Sequence, residues 1–165
     1  MKALMKAIAS LFYIGFLRPA PGTWGSLISL PVAYGILLSG GFRFLIIATI
    51  TMFFIGLYAT AQVTHEGDKD PSWVVIDELV GQWVALFPVA YGASMMGVAY
   101  WELYPGWISG FVLFRLFDIW KPWLIGWADR QGGAFGVMFD DVLAGVFAAL
   151  ISIALAGLAH GFLMP

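Results

Sequence analysis

Two adjacent acidic pairs, Asp77-Glu78 and Asp140-Asp141, and a fifth carboxylate, Asp118, stand at the edges of apolar runs in a 165-residue chain with only ten acidic residues. At a bilayer centre each would cost about 2.5 to 3.5 kcal/mol, and less towards the interface, so their placement at segment ends calls for a neutralising partner. Neighbouring carboxylates also repel one another. Oxygen ligation of a divalent cation removes that repulsion. Mg2+, which favours carboxylates, water and phosphate oxygens, suits the set better than Zn2+, which prefers histidine or cysteine. Cysteine is absent, and the two histidines, His65 and His160, fall in a polar loop and near the opposite face. Asp77, Glu78, Asp118, Asp140 and Asp141 are therefore the expected Mg2+ ligands. A plainer arrangement uses the same carboxylates as partners for cations and as helix caps, with no metal.

The cations that would face such a cluster lie in FRLFDIWKPWLIGWADR. Arg115, Asp118 and Lys121 recur every third residue, which predicts one shared helix face, and Pro122 ends or bends the helix beyond the lysine. Upstream, PGTWGS at 21–26 sets two glycines and two hydroxyls, Thr23 and Ser26, at the head of an apolar run. A helix start exposes backbone N–H groups and hydroxyls add donors, which suits a phosphate; an ordinary N-cap with close-packing glycines has the same look. Arg115, Lys121 and Arg130 are expected to bind phosphate oxygens, with Thr23 and Ser26 completing the cradle. Trp120, Trp123 and Trp127 read as interface anchors, and Asp129-Arg130 as a surface pair.

The chain that must position these groups is 61% hydrophobic and 11% charged, with a mean hydropathy of +0.89. That composition belongs to an integral membrane protein, read as an all-α helix bundle in one domain over residues 1–165. Residues 1–17 place Lys2, Lys6 and Ser10 four apart, the pattern of an amphipathic interfacial helix. Four to five membrane segments follow. The first, Leu27 to Leu38, is short; the others run Phe42 to Val63, Trp73 to about Tyr91, about Trp107 to Phe117, and Val142 to Leu163, the last opened by Asp140 and Asp141. Alternation across the bilayer puts Lys2, Lys6, Arg18, Lys69, Arg115, Lys121 and Arg130 on the side of all the polar motifs, and only Arg43 opposite. The positive-inside rule makes that side cytoplasmic. With a net charge of −2 and its basic residues scattered, the chain is expected to bind membrane lipids and no nucleic acid. Nothing in the pattern sets an oligomeric state.

PGTWGS, IDELVGQW, FRLFDIWKPW, ADR and FDDVLAGV, in that order, resemble the phosphatidylglycerophosphatase A family of bacterial inner membranes, from about Pro21 to Val146. The resemblance implies Mg2+-dependent hydrolysis of phosphatidylglycerophosphate to phosphatidylglycerol. It carries Thr23, Asp77, Glu78, Arg115, Asp118, Lys121, Arg130, Asp140 and Asp141 over as site residues. Among them Asp77, Glu78, Asp118, Lys121 and Asp141 are the expected catalytic groups, acting through a water activated by metal or carboxylate, with a phospho-aspartate route open. Two other classes share part of the pattern. A lipid phosphotransferase also combines aspartates, Mg2+ and membrane helices, but its spaced aspartate-glycine-arginine signature is missing. A small transporter or channel would set its charges near the midplane rather than at one face.

Overall fold

The structure, a computed structural model, describes residues 2–64 and 71–163, with side chains described as far as Ala159. Among the described residues there are seven α-helices and no strand: α1 (Lys2–Ala9), α2 (Pro21–Val63), α3 (Ile76–Ala85), α4 (Phe87–Met96), α5 (Tyr104–Trp120), α6 (Leu124–Gln131) and α7 (Gly133–Leu163). Two are long and apolar enough to cross a membrane, α2 and α7, and a third span results if the α3–α4 pair, bent by 40°, is taken as one. His65, Lys69 and the side chain of His160 lie outside the described residues.

α2 is 43 residues long, about 65 Å if straight and twice what a bilayer core needs. It is broken at Gly41, whose φ of 68° and ψ of −165° no helix contains and few other residues adopt. The two halves flank the same partner from opposite directions. Gly25 packs on Val75 and Gly56 on Ile76, so points about equally far from Gly41 meet the start of α3. Farther along, Trp83 Nε1 donates to the Ser29 carbonyl (2.9 Å), and Phe42 packs edge-on against Phe87 and Tyr91. The first half therefore runs with α3–α4 and the second half against it. α3 sits centrally, buried on nearly every side, between α2 and α7; α5 and α6 pack on α7 from outside.

Several sequence expectations are corrected here. The helix of the first apolar segment begins at Pro21 rather than Leu27, with proline where its missing N–H costs nothing, and residues 21–40 are long enough to span. The amphipathic helix stops at Ala9 instead of 17, because Leu11, Phe12 and Tyr13 take left-handed conformations. Ser10 is buried, donating to the Lys6 carbonyl, rather than on an exposed stripe; the Ala9 carbonyl accepts from Val75 N and ties this end to α3. α5 ends at Trp120. Lys121 is a left-handed cap, so it does not share a helical face with Arg115 and Asp118. α7 starts at Gly133, which puts Asp140 and Asp141 two turns inside the helix, where they cannot be N-caps. α6, unforeseen, carries Asp129 and Arg130.

Candidate active site

Asp77 and Glu78 occupy the first turn of α3, where the partial positive charge of a helix start favours carboxylates. Asp141 approaches them from α7. The two helices touch backbone to backbone. A Cβ on Gly81 would meet the Asp141 carbonyl at 2.5 Å, and one on Gly145 would strike the Gly81 carbonyl. Aspartate and glycine are four apart in both helices, Asp77 with Gly81 and Asp141 with Gly145, so each carboxylate stands one turn from the crossing point. As a result one oxygen each from Asp77, Glu78 and Asp141 lie within 4.8 Å of one another.

Three ionised carboxylates at that spacing repel by about 3 kcal/mol per pair at an effective dielectric of 20. Oε2 of Glu78 and Oδ2 of Asp141 are buried and accept no hydrogen bond from any described residue. An all-oxygen donor set with buried oxygens of this kind fits a hard divalent cation. Gly22, in the first turn of α2, gives Glu78 room: a Cβ there would collide with Oε1 and come within 3.2 Å of Arg115 Nη1.

The remaining two carboxylates hold cations instead. Arg115 Nη1 pairs with Asp118 Oδ2 at 2.8 Å, one turn along α5, and donates to Ser26 Oγ at 3.3 Å. Ser26 itself donates to the Gly22 carbonyl. Lys121 Nζ bridges Asp140 at 2.7 Å and Asp129 at 2.5 Å. Burial works against the charge on Lys121, but its hydrogen bonds and attraction to Asp129 and Asp140 outweigh that and hold the ammonium well above the ordinary lysine range. The left-handed cap is what aims Lys121 back across α6 towards α7.

These groups line one cavity of about 320 Å³ at the end of the bundle where α2, α3 and α6 begin. Asp77, Glu78, Arg115, Asp118, Lys121, Asp140 and Asp141 all face it, along with Ala20, Pro21 and Gly22. Thr23 and Arg130 do not line it, and Arg130 is exposed on α6. Ser26 supports Arg115 from behind. Sequence reasoning missed Asp129, read as a surface partner of Arg130, and it missed the paired glycines. The four-residue spacing shared by DELVG and DDVLAG was the available signal for the latter.

The profile described as phosphatidylglycerophosphatase A matches residues 7–156. A phosphatidylglycerophosphatase A of Haemophilus influenzae is 35% identical over 147 residues, covering 87% of this chain and 83% of the relative. One from Escherichia coli is 34% identical, covering 84% and 78%. A Bacteroides thetaiotaomicron protein, provisionally described as a phosphatidylinositol-3-phosphatase, is 36% identical and covers 87% and 88%. No solved structure matches the chain.

Proposed function

The chain belongs to the phosphatidylglycerophosphatase A family, and from that premise we propose that it is a Mg2+-dependent phosphatase of the bacterial inner membrane, converting phosphatidylglycerophosphate to phosphatidylglycerol. The observation that carries the reading is the cavity itself. It sets clustered buried carboxylates opposite two anchored cations, the pattern a metal and a phosphate would fill together. Asp77, Glu78 and Asp141 would hold the ion. When bound, Mg2+ offsets charge on the phosphate oxygens and on the leaving alkoxide.

The protein's own groups account for the rest. Arg115, fixed by Asp118 and Ser26, presents guanidinium N–H groups to the phosphate. Lys121, which lines the cavity, has three donors, two of them taken by Asp129 and Asp140, and the third would bind a phosphate oxygen. Asp118 engages Arg115 through one oxygen and has the other to orient an attacking water and accept its proton. The water oxygen bonds phosphorus as the bond to the glycerol oxygen breaks; that oxygen takes a proton from solvent in the open cavity, and Asp118 returns to solvent the proton it accepted. The loose transition state of a phosphate monoester rewards such positioning.

On this reading the chain crosses the membrane five times, through both halves of α2, the α3–α4 pair, α5 and α7, with the cavity at the cytoplasmic face. Family membership argues against the transporter and phosphotransferase alternatives. The description of the Bacteroides relative favours a second substrate, phosphatidylinositol 3-phosphate, with the same lipid-borne phosphate monoester. Phosphate release from both lipids by the purified protein, with Mg2+ and with chelator, tests the proposal. Turnover of phosphatidylglycerophosphate that stops on chelation is expected; turnover only of the inositol lipid replaces the substrate, and turnover unaffected by chelation removes the metal.

A further inference from the structure

Gln82, in the second turn of α3, is fully buried, and neither its Oε1 nor its Nε2 has a hydrogen-bond partner among the described residues. A carboxamide shut inside a helix bundle is costly unless both its ends are satisfied, so it calls for polar company. Its place on α3 shows where that company lies. Gly81 and Ala85 face α5, at Phe114 and Gly110, while Trp83 donates to the Ser29 carbonyl of α2. Gln82 falls between these positions on the helix surface, on the same side as Glu78 and one turn deeper. It therefore faces the seam between α2 and α5 that the Arg115–Ser26 hydrogen bond closes. A Cβ on Gly22 would touch both Glu78 Oε1 and Arg115 Nη1, so those two side chains meet at the head of this seam. Each brings one more buried, unpaired atom: Glu78 Oε2, an acceptor, and Arg115 Nε, a donor.

We propose that Gln82 is a positioning residue that couples the two halves of the site: through bridging water, its Nε2 donates towards Glu78 Oε2 and its Oε1 accepts from Arg115 Nε. The inference rests on the lipid phosphatase reading and adds the group that holds the metal-binding and phosphate-binding sides in register. The unpaired atoms balance, since Gln82 supplies a donor for the carboxylate and an acceptor for the guanidinium. Side chains lean towards the N-terminus of their helix, which brings the amide at 82 back to the layer of Glu78 and Arg115. Water spans the gap that the three side chains leave, the ordinary way in which buried polar groups out of direct reach are satisfied. Arg115 is already held at Nη1 by Asp118 and Ser26; a second hold at Nε fixes the plane of the guanidinium and leaves Nη2 for the phosphate. Each carboxylate oxygen has two lone pairs, so Glu78 Oε2 takes this hydrogen bond and still ligates a cation, with the outer support that metal-binding carboxylates ordinarily have.

The test compares the full-length wild type with Gln82→Met, which keeps the length of the side chain and removes both polar ends. The Mg2+ concentration that gives half of the metal-induced rise in melting temperature is expected to climb about tenfold, and kcat/KM for phosphatidylglycerophosphate to fall by at least about as much. A second measurement needs neither turnover nor metal. In protein carrying isotope-labelled arginine, the Arg115 Nε–H signal, assigned by its loss in Arg115→Lys, should exchange slowly with water in the wild type and severalfold faster in Gln82→Met. A residue that only fills space would lower the melting temperature and move neither readout, so an unchanged Mg2+ midpoint or an unchanged exchange rate overturns the coupling. Should Gln82→Met fail to fold, the wild type decides alone: protection of the Arg115 Nε–H supports the proposal, and exchange as fast as that of the exposed Arg18 overturns it. If wild type releases no phosphate from either lipid, the reaction assigned above is wrong, while the exchange of the Arg115 Nε–H still decides the role of Gln82.

Discussion

Asp141 is buried, accepts no hydrogen bond at Oδ2, and stands beside two other carboxylates, so removing its charge has opposite effects with and without metal. In metal-free buffer Asp141→Asn relieves repulsion and is expected to melt at or above the wild-type temperature. The rise in stability on adding Mg2+, about 2.7 kcal/mol at a hundred times Kd for the wild type, should vanish together with phosphate release. A variant that keeps a normal Mg2+ response would remove Asp141 from the ligand set. Lys121 gives a contrast in pH behaviour. Because its folded-state pKa is raised, its contribution is complete below the unfolded lysine range of about 10.4 and is lost only as pH climbs through the folded value. Lys121 itself should therefore stay charged from about pH 6 to 9, so a slope in the melting difference between wild type and Lys121→Met across that window reports the carboxylates it pairs with, Asp129 and Asp140. Turnover should fall at least about a hundredfold in Lys121→Met and hardly at all in Arg43→Ala, whose side chain is exposed just beyond the Gly41 bend.

Helix crossings, rather than individual side chains, set the spacing of the carboxylates. Gly81→Ala would drive a methyl group into the Asp141 carbonyl and the Phe114 ring, both at 2.5 Å, and a backbone carbonyl has no rotamer to escape into. The variant is expected to lose about 1 to 3 kcal/mol of stability and most Mg2+ response, since α3 and α7 must part. Gly35→Ala, with nothing within 4 Å of the added methyl, should gain up to about 1 kcal/mol from helix propensity, and thermal melts of both check the contrast. Sequence alone showed the apolar segments and which carboxylates gather, because composition and polar interruptions along one chain report those directly. It misplaced helix ends for a physical reason. Charged residues read as boundaries, yet Asp140 and Asp141 sit inside α7, where Lys121 and the neighbouring carboxylates of α3 are the company they keep. α6 is only eight residues long, too short for its one-sided apolar face to stand out from the loops around it. The hold of Asp129 on Lys121 depends on a left-handed cap that spacing rules for helices do not encode.

For the molecule as a whole, the proposed topology of five crossings from a cytoplasmic start would place the C-terminus outside, so a reporter fused after Pro165 should read periplasmic. A cytoplasmic signal would mean that one segment dips without crossing. The bend at Gly41 has a consequence for how such a protein reaches its membrane. Between the two halves of α2 there is no hydrophilic loop, only the turn and Arg43, and between α4 and α5 the single charge is Glu102. Biogenesis on this topology must carry just those two charged side chains through the hydrocarbon, so the α2 halves can enter together as a ready-made hairpin, sparing the insertion machinery the translocation of a polar domain.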